Sequence, residues 1–448
     1  MLRETNIPSQ NALKPPLHRL GRYILERYEW LKLKQTLLYA YDASPFYHRL
    51  FNKYHVKPRD ITSFADMTKL PMTTPGDLQA DTRSFFCVPD EKFIKVFTTS
   101  GTTSAPKKAY FTQRDIDSII NSSVTGMRLL YHITPHDIVR LTFEEGYGIE
   151  IWGNRYCLEH TFEKIGALTL VTGRLKIEDE LKMLLEYKPT VFMDVSSRIN
   201  YLTTELKKLH DLDTLGINQI LLGAEPTPNT MRKMIEKAWN TDVYMGYGTS
   251  EFGMNMAGEC EEKHGMHMTE TNFLTEVIDP STGEHLENGE IGELVFTTLN
   301  REGMPFIRYQ SHDLGRIIPD RCPCGLPLKK IEIKGRTDDM LPIGAGDNLF
   351  TRMFDDILFG QSEVIEYQAI FERKEGKDHI TIIAETTTIT DTLQKKILTG
   401  LMELPEINNG VYISNTVAPP LVQLVKPNTL DRNSLKARRL IDKRNLYD

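Results

Sequence analysis

The central part of the chain alternates short apolar runs with longer amphipathic segments, and this alternation constrains the fold more than any other feature of the sequence. Apolar residues recur at helical spacing in 177–187, 197–209 and 228–238. Strands that alternate with helices in this way form βαβ units around a mostly parallel sheet. We therefore predict an α/β fold with buried strands at "IVRLTF" (138–143), "ALTLV" (167–171), "TVFM" (190–193), "QILLG" (219–223) and "VYMGY" (243–247).

Two further regions differ from this pattern. Residues 290–335 are rich in predicted strands, which indicates a smaller β subdomain. After "KGRTDDM" the pattern predicts two strands around a Lys-Glu-Gly-Lys turn, a helix from about 388 to 403, a strand near "GVYIS" and a basic C-terminal helix. We predict a large N-terminal domain over 1–337, with βαβ sheets and the β subdomain, and a small, mobile α+β C-terminal domain over 338–448.

The composition excludes several classes of protein. The chain has 448 residues, 40% of them hydrophobic and 26% charged, as in a globular protein of two or more domains. Its net charge of −7 argues against a nucleic-acid partner, which would select a basic surface. No apolar run is long enough to cross a bilayer, and the start of the chain lacks the apolar core of a secretory signal. We therefore expect a cytoplasmic protein without nucleic-acid or membrane partners.

The stretch "FTTSGTTSAPKKAYFT" (97–112) concentrates the groups that bind a phosphate. Its Ser and Thr hydroxyls, Gly backbone amides and Lys ammonium groups supply many hydrogen bonds at short range. A Walker A loop is excluded, because no Gly-Lys-Ser/Thr follows at the required distance. The composition alone fits an exposed Ser/Thr-rich loop equally well, so the order of the residues has to decide.

That order resembles the signature Ser-Gly-Thr-Thr-Gly-x-Pro-Lys of the adenylate-forming enzymes, the acyl-CoA synthetase superfamily. Near the amino terminus, "SPFYHRLF" and "LPMTTPGDL" are similar to the branch of phenylacetate–CoA ligases and coenzyme F390 synthetases. The resemblance covers nearly the whole chain. Five other family motifs are matched in the same order by "GAEP" (223–226), "YGTSE" (247–251), "IRYQSHDLG" (307–315), "GRTDDM" (335–340) and "NSLKARRLID" (433–442).

This resemblance implies an ATP-dependent, AMP-forming acid–thiol ligase. Such an enzyme joins a small carboxylic acid, here an aryl acid by resemblance, to the α-phosphate of ATP and then transfers the acyl group to a thiol, usually that of CoA. The transition state of the first step needs cations and hydrogen-bond donors aimed at the phosphates. Two alternatives stay open: loading of a carrier-protein phosphopantetheine, and transfer of AMP to a hydroxyl-bearing cofactor, as in coenzyme F390 synthetases.

The resemblance assigns the phosphates of ATP to three charged side chains and one loop. Glu251 would bind Mg²⁺, since a hard divalent ion takes few protein carboxylates beside the phosphate oxygens of its substrate. Lys436, carried by the mobile domain with Asp338 at its hinge, would bridge the charge that develops during adenylation. Lys107 would bind the β- and γ-phosphates together with Thr99, Ser100, Gly101, Thr102 and Thr103.

Other residues of the matched motifs would bind the nucleoside. Tyr247 would stack on adenine, with Gly248 beside it in the motif and Ser250 at the α-phosphate. Asp313 would accept hydrogen bonds from the ribose hydroxyls, and Arg336 would lie near ribose or phosphate. The adenine pocket would be lined by Gly223, Ala224 and Glu225.

Single residues of these motifs also have simpler explanations. Glu251 alone is more often a carboxylate at a helix start, and Asp313 a turn former, while Lys436 lies in a basic segment typical of a solvated helix face. Ser104 and Leu435 stand where the family usually has Gly, and Ser at positive φ costs about 1 kcal/mol or more. A nucleotide-binding protein without turnover is therefore a further alternative, although six motifs in order favour the enzyme.

Three cysteines and a histidine form a candidate zinc site. Two thiolates one residue apart, with a distant Cys and His, can hold a tetrahedral structural zinc ion. The spacing is only moderately specific, and unpaired cytosolic thiols are the alternative. Members of the phenylacetate–CoA ligase branch have a similar arrangement, which favours His267 over His264. The predicted ligands are therefore Cys260, His267, Cys322 and Cys324, whereas Cys87 and Cys157 are predicted to be core thiols.

The acyl site is the least determined part of the sequence. By position, "TFEEGYGIEIWGN" (142–154) and "MDVSSRIN" (193–200) should line it. A buried carboxylate needs a partner, so Glu144, Glu145 or Asp194 could pair with an amine or hydroxyl of the acid, or these groups could face solvent at the mouth of the cleft. A homodimer is one assembly that the sequence leaves open.

Overall fold

The computed structural model describes residues 15–98, 107–142, 153–337, 340–344, 347–430 and 439–444. Within these ranges, no helix is both long and apolar enough to cross a membrane. The described residues form two compact units. The first takes those within 1–137, 145–169 and 244–334, and the second takes those within 138–144, 170–243 and 335–448.

Eleven α-helices are found in the described part of the chain: α1 (Pro15–Ala43), α2 (Pro45–Lys53), α3 (Pro75–Ala80), α4 (Gln113–Leu130), α5 (Gly153–Ile165), α6 (Ile177–Tyr187), α7 (Ser196–Leu206), α8 (Asn229–Trp239), α9 (Thr351–Leu358), α10 (Asp391–Glu403) and α11 (Pro405–Tyr412). Short 3₁₀ turns lie between them at Pro58–Asp60, Phe64–Lys69, Thr82–Phe85, Asp90–Lys92, Leu212–Leu215 and Ser250–Phe252.

The described ranges also contain nineteen β-strands: β1 (Phe93–Thr98), β2 (Lys108–Thr112), β3 (Ile138–Leu141), β4 (Leu168–Val171), β5 (Val191–Asp194), β6 (Gln219–Leu222), β7 (Asp242–Tyr247), β8 (Ala257–Glu259), β9 (Met266–Met268), β10 (Phe273–Ile278), β11 (Gly292–Thr298), β12 (Tyr309–Ile318), β13 (Lys330–Arg336), β14 (Met340–Ile343), β15 (Asp347–Phe350), β16 (Val364–Lys374), β17 (Lys377–Thr386), β18 (Leu421–Val425) and β19 (Leu440–Asp442).

Antiparallel strands dominate the first unit. β10, β11, β12, β13, β9, β8 and β7 are hydrogen-bonded neighbours in that order. Phe273 of β10 faces Thr298 of β11, and Lys330 of β13 faces His267 of β9. β12 alternates buried and half-buried residues along its whole length, so one of its faces belongs to the core. The strand-rich character predicted for residues 290–335 is thereby confirmed.

A separate hairpin frames the predicted phosphate loop. β1 and β2 are antiparallel, with Phe97 opposite Ala109 and Thr98 opposite Lys108. The chain therefore leaves β1 and returns at Lys107 beside the point where it left. Phe97 and Ala109 are both buried, so the hairpin at the base of the predicted phosphate loop is anchored in the core.

The second unit contains the predicted βαβ units. β3, β5 and β6 are parallel neighbours, with Val139 opposite Val191 and Val191 opposite Gln219. α6, α7 and α8 occur between or after these strands in the chain, as the alternation predicts. The ends of β5 and β6 lead into the residues expected at the acyl and adenine sites, as is usual at the carboxyl ends of parallel strands.

The C-terminal part of the second unit is a four-stranded sheet with the order β18-β17-β16-β19. β16 and β17 are antiparallel around the predicted Lys-Glu-Gly-Lys turn, with Lys374 opposite Lys377. The predicted helix is α10. The strand predicted near "GVYIS" is wrong, because residues 405–412 form α11: Pro405 starts this helix, and Ile407 and Gly410 are buried one helical turn apart. The strand that follows this region is β18. In the segment predicted as a basic C-terminal helix, residues 440–442 form β19, and residues 431–438 lie outside the described part of the chain.

The core of the first unit packs α1 and α2 against the antiparallel strands. Leu33 and Leu37 of α1 and Phe51 of α2 are fully buried in it. An aromatic group lies at its centre, where Phe306 and Tyr309 are 5.0 Å apart between ring centroids. This core supports the turn that carries Glu251.

Candidate functional site

Lys107 and Glu251 form a buried ion pair in the first unit. Lys107 Nζ lies 2.5 Å from Glu251 Oε1, and the two side chains are 16% and 5% exposed. Lys107 directly precedes β2, whereas Glu251 is in the 3₁₀ turn that follows β7. The structure thus brings together the two charged residues that the sequence assigned to the phosphates and to Mg²⁺.

The core fixes the backbone of the turn that carries Glu251. The next residue, Phe252, is 1% exposed and makes edge-to-face contacts with Phe273, Phe296 and Phe306. Gly253 closes the turn with a φ of +79°, and a Cβ there would lie only 2.4 Å from the Ile119 side chain. Only glycine combines this left-handed backbone with so close an approach.

Tyr309 completes the site and was not singled out from the sequence. Its hydroxyl donates a hydrogen bond of 3.2 Å to Glu251 Oε1, and its side chain is buried. Tyr309 is the tyrosine of "IRYQSHDLG", so the motif that pointed to Asp313 contains the signal that was missed. Burial opposes the charge on Glu251, but Lys107 and the Tyr309 hydroxyl more than offset it, and the pKa of Glu251 falls below its ordinary value.

A second contact joins two residues predicted to bind the nucleoside. The Tyr247 hydroxyl at the end of β7 donates to Asp313 Oδ2 of β12 over 2.6 Å. Between them in the chain, Gly248 has no room for a side chain, since a Cβ would lie 2.8 Å from the Asn255 nitrogen. Ser250 begins the 3₁₀ turn. Four predicted residues of the first unit therefore lie along the end of β7 and the turn after it, and Asp313 is within hydrogen-bond distance of the first of them, Tyr247.

Asp313 follows a left-handed residue within β12, where the pairing of β12 with β11 is irregular. His312, the residue before Asp313, has a φ of +62°. Its backbone N–H donates to Glu293 Oε1 over 2.9 Å, and Glu293 Oε2 accepts from the Gln310 side chain. These hydrogen bonds to the buried Glu293 carboxylate hold His312, a residue other than glycine, in an unfavourable region of backbone conformation.

The predicted adenine loop lies in the second unit after β6. Ala224 has a φ of +69°, another left-handed residue that is not glycine, and follows Gly223. Glu225 Oε1 accepts hydrogen bonds from the Ser197 backbone N–H at 2.6 Å and from the Ser196 hydroxyl at 3.3 Å. The carboxylate of Glu225 thus caps the amino end of α7, where a negative charge is favourable. Arg336, the last residue of β13, also belongs to this unit and is half-buried.

Several predicted residues lie outside the described part of the chain. They are the loop residues Thr99, Ser100, Gly101, Thr102, Thr103 and Ser104, the acidic pair Glu144 and Glu145, the hinge residue Asp338, and Leu435 with Lys436. Their roles stay predictions.

Asp194, the third acidic residue expected near the acyl site, is paired within the protein. It is fully buried at the end of β5, and its Oδ2 lies 3.1 Å from Arg198 Nε. Its Oδ1 accepts a hydrogen bond from the Val195 N–H. Burial raises the pKa of Asp194 to about 6, against the opposing effect of Arg198. The partner that a buried carboxylate needs is therefore already present without a substrate.

The candidate zinc ligands converge in the β-rich part of the first unit. One ligand atom from each of Cys260, His267, Cys322 and Cys324 lies within 4.8 Å of all the others. Cys260 Sγ is 3.5 Å from Cys322 Sγ, and Cys324 Sγ is 3.3 Å from His267 Nε2. Zinc with Zn–S bonds of about 2.3 Å separates two tetrahedral sulfur ligands by about 3.8 Å, so this donor set fits the ion.

The electrostatics of this cluster agree with its geometry. Hydrogen bonds from Cys324 lead the effects that lower the pKa of Cys260, whereas the neighbouring Cys260 thiolate raises the pKa of Cys324. Without a cation, deprotonation of Cys260 is therefore favoured and deprotonation of Cys324 is disfavoured. His264 lies apart, with its Nδ1 3.1 Å from Lys330 Nζ. The preference for His267 over His264 agrees with this placement.

The other two cysteines are ordinary thiols of the first unit. Cys157 is fully buried and Cys87 is half-buried. Burial raises the pKa of each thiol to about 12, so neither is a ready nucleophile. Cys157 agrees with the predicted core role, whereas Cys87 lies at the edge of the core.

Known proteins resemble this chain along most of its length. Residues 60–300 match the family described as AMP-binding enzyme, and residues 346–444 match its C-terminal domain. The phenylacetate-coenzyme A ligase of Aromatoleum evansii is 30% identical over 98% of this chain and 98% of its own. That of Escherichia coli (strain K12) is 31% identical over 97% of this chain and 99% of its own.

A solved structure supports the fold. The crystal structure of 2-hydroxyisobutyryl-CoA ligase in the postadenylation state, in complex with 2-HIB-AMP, has a TM-score of 0.80. The two chains are 23% identical, and the match covers 93% of this chain and 89% of that one. The α/β fold with a small C-terminal sheet is thereby confirmed. With the family match over more than half of its residues, the chain belongs to the family of AMP-binding enzymes and is an ATP-dependent, AMP-forming ligase.

Proposed function

We propose that this ligase activates a small aryl carboxylic acid with ATP and transfers the acyl group to CoA. The observation that carries the proposal is the buried pair of Lys107 and Glu251, supported by Tyr309. The choice of an aryl acid and of CoA as acceptor rests on the phenylacetate-coenzyme A ligases, which resemble the chain over nearly its full length. Nothing in the described residues points to a carrier protein in preference to CoA.

The pair is suited to exchange partners when the nucleotide binds. Lys107 and Glu251 neutralise each other before the nucleotide binds. With Mg·ATP bound, the Lys107 ammonium would pair with a phosphate oxygen and the Glu251 carboxylate with Mg²⁺. Mg²⁺ supplies further neutralisation of the phosphate charge when bound. Since the low pKa of Glu251 keeps it ionised, the carboxylate is ready to accept a cation at neutral pH.

The reaction that follows consists of two displacements. In the first, a carboxylate oxygen of the acid attacks the α-phosphorus, the bond to the bridging oxygen breaks, and pyrophosphate leaves with the electron pair. In the second, the CoA thiolate attacks the acyl carbon, and AMP leaves with the electrons of the carbon–oxygen bond. Lys107 stabilises charge on the departing pyrophosphate, and Lys436 does so at the α-phosphate. Asp338 would be the pivot between the domains at 1–337 and 338–448.

The nucleoside is proposed to bind along the end of β7. Tyr247 stacks on adenine, and its hydroxyl holds Asp313, whose carboxylate accepts hydrogen bonds from the ribose. Gly223, Ala224 and Glu225 line the adenine, with the Glu225 carboxylate held by α7. Ser250 and Arg336 bind phosphate or ribose oxygens.

An aryl acid fits the two charged residues that the structure describes in the predicted acyl site, Asp194 and Arg198, because they are paired with each other. Asp194 is already paired with Arg198, so it offers no free carboxylate to a cationic substituent. An uncharged ring is therefore favoured over an amino acid at this position. Since Asp194 is fully buried, it would not contact the acid directly. It would affect the acyl site only by holding the backbone at the end of β5 in place.

A panel of acids tests this function. The protein is incubated with ATP, Mg²⁺, CoA and either arylacetic, fatty or amino acids, and AMP and thioester are measured together. We expect equal amounts of both products with an arylacetic acid. No acid-dependent AMP with any member of the panel would contradict the proposal, and AMP without thioester would contradict CoA as the acceptor.

We also propose a structural zinc ion held by Cys260, His267, Cys322 and Cys324. All four positions of a tetrahedron are taken by protein, so the ion would have no open site for catalysis. It would connect β9 to the segment between β12 and β13. Metal analysis of the purified protein should find about one zinc per chain, and Cys322→Ser should lose it while Cys87→Ser retains it. Full zinc content in Cys322→Ser would contradict the assignment.

A further inference from the structure

Arg301 is a buried cation that none of the proposed steps uses. It lies in the connection "NREGMP" (300–305) between β11 and β12, and its side chain is 5% exposed. Burying a guanidinium is costly unless its donors find acceptors. Its acceptors are therefore informative about its role.

Two backbone carbonyls accept hydrogen bonds from the two ends of this guanidinium. Nη1 donates to the Glu251 carbonyl over 2.9 Å, and Nη2 donates to the Tyr110 carbonyl over 3.1 Å. Tyr110 lies on β2, three residues after Lys107. One planar, rigid group therefore joins the strand that follows Lys107 to the turn that carries Glu251.

The guanidinium itself is held in place from the other sides. Its carbon lies 3.8 Å from the centre of the Phe111 ring, and Nε is 3.9 Å from Asp115 Oδ2. Burial lowers the pKa of Arg301 to about 10, and Asp115 opposes this effect, so the group stays charged at neutral pH. Arg301 is thus a fixed cation with little freedom to move.

Asp115 also secures the backbone of this connection. It is fully buried at the start of α4, and it accepts hydrogen bonds from the Glu302 N–H at 2.6 Å and the Gly303 N–H at 3.1 Å. Gly303 packs so closely that a Cβ would lie 2.5 Å from the Phe93 ring. The connection is therefore docked firmly, and the position of Arg301 is set before any ligand binds.

We propose that Arg301 is a positioning residue for the phosphate and magnesium site. Its fork fixes the spacing between β2 and the Glu251 turn, so that the Lys107 ammonium and the Glu251 carboxylate meet the phosphate and its Mg²⁺ at the correct separation. Arg301 touches neither nucleotide nor metal. This inference rests on the proposed roles of Lys107 and Glu251 and names the residue that aligns them.

The test compares Arg301→Lys and Arg301→Met with the wild type. The lysine ammonium reaches one carbonyl at most, and the methionine reaches none, so the turn and the strand lose their common tie. We expect turnover in ATP–pyrophosphate exchange to fall about 100-fold in Arg301→Met and about tenfold in Arg301→Lys. The Mg²⁺ concentration for half-saturation should rise about tenfold in Arg301→Met, while binding of ATP in the presence of a chelator changes by less than about twofold.

Arg140→Lys is the matched control. Arg140 is an equally buried arginine of the second unit, and its partners, Glu180 and the Leu141 carbonyl, are not among the residues assigned to the phosphates or to Mg²⁺. This variant should unfold at a lower urea concentration and keep the wild-type Mg²⁺ half-saturation. If Arg301→Lys also loses stability and also keeps that half-saturation, Arg301 is a structural residue only and the proposal is wrong.

A double-mutant cycle gives the second readout. In a Glu251→Gln background, Arg301→Lys should no longer change the Mg²⁺ half-saturation, because the group that it aligns is already neutral. Additive effects of the two substitutions would overturn the inference. The proposed function fails in a different way, namely when the wild type itself forms no acid-dependent AMP, so the two failures can be told apart.

Discussion

Two buried ion pairs of the molecule have opposite constructions. In the first unit, the flexible ammonium of Lys107 lies 2.5 Å from Glu251 Oε1, and Lys107 keeps some exposure. In the second unit, Arg140 donates to both oxygens of Glu180 at 3.0 and 3.1 Å, and both side chains are completely buried. Arg140 also donates to the Leu141 carbonyl, so most of its donors are satisfied.

The difference separates an exchangeable pair from a locked one. A compact ammonium on a long stem can turn to a phosphate oxygen and release a carboxylate to a metal ion. A bidentate pair without solvent access cannot do so, because breaking it leaves two buried charges uncompensated. We therefore expect substitutions in the first pair to damage chemistry and substitutions in the second to damage stability.

Glu251→Gln tests the exchangeable pair and should have the largest effect. The amide keeps the shape of the side chain but cannot hold Mg²⁺ with a negative charge, so ATP–pyrophosphate exchange should fall about 100- to 1,000-fold. Glu270→Gln is the control, since Glu270 is also buried and ion-paired in the first unit, with Arg22. An equal loss of exchange in both variants would mean that Glu251 has no special role.

Glu180→Gln tests the locked pair. Removing this charge leaves Arg140 buried without its bidentate partner, and we expect a loss of about 3 to 5 kcal/mol in the free energy of unfolding. Urea denaturation measures the loss. Pyrophosphate exchange per folded molecule, determined at low temperature, should stay within about twofold of the wild type. A large loss of exchange with unchanged stability would reverse the comparison between the pairs.

The two pairs also differ in how far the sequence foresees them. The motif order predicts that Lys107 and Glu251 act at one site, although not that they touch. No motif contains Arg140 or Glu180, whose contact depends on packing between β3 and α6. Tyr309 was missed beside Asp313 because its hydroxyl finds Glu251 58 positions away in the chain. Arg301 was missed because its acceptors are backbone carbonyls, which carry no sequence signal at all.

The fold shows a similar division. The parallel strands β3, β5 and β6 are predictable because a buried strand in a βαβ unit is mostly apolar, and only Arg140 interrupts the apolar run of β3. The strand expected near "GVYIS" fails because short helices take most of their stability from tertiary packing. There, Gly410 lies so close to the Val417 side chain that a Cβ would be 2.3 Å away, a contact that local propensity does not encode. The partner of Asp194 was visible in principle, since Arg198 is four residues along.

Asp194→Asn tests the surroundings of the locked pair. Arg198 contacts both Glu180 and Asp194, so Asp194 is connected to the pair of Arg140 and Glu180. Burial raises the pKa of Asp194 to about 6, so the folded state binds a proton that the unfolded chain loses near pH 4. The stabilising contribution is present below pH 4 and is lost as the pH rises through 6. The free energy of unfolding of the wild type, relative to the variant, should therefore fall by about 2 to 3 kcal/mol over this range.

Urea titrations at several pH values measure this difference. Asp279→Asn is the control with the opposite sign: its exposed carboxylate accepts hydrogen bonds from the Ser281 hydroxyl and from the Thr282 N–H, which lower its pKa. The wild type should gain stability relative to that variant as the pH rises. A pH-independent difference for Asp194→Asn would show that the pKa of Asp194 is the same in the folded protein as in the unfolded chain.

Tyr309→Phe tests the exchangeable pair with the smallest change. The substitution removes only the hydroxyl that donates to Glu251, and a hydrogen bond to a charged group contributes about 1.5 to 3 kcal/mol. Since Glu251 then loses one group that holds its carboxylate in place, the Mg²⁺ half-saturation in pyrophosphate exchange should rise about five- to tenfold. Tyr367→Phe, which removes a similar bond to the buried Asp355 in the second unit, should lower stability and leave that half-saturation unchanged. If both variants lose stability and neither alters the response to Mg²⁺, Tyr309 belongs with the locked contacts of the core, and the exchangeable pair consists of Lys107 and Glu251 alone.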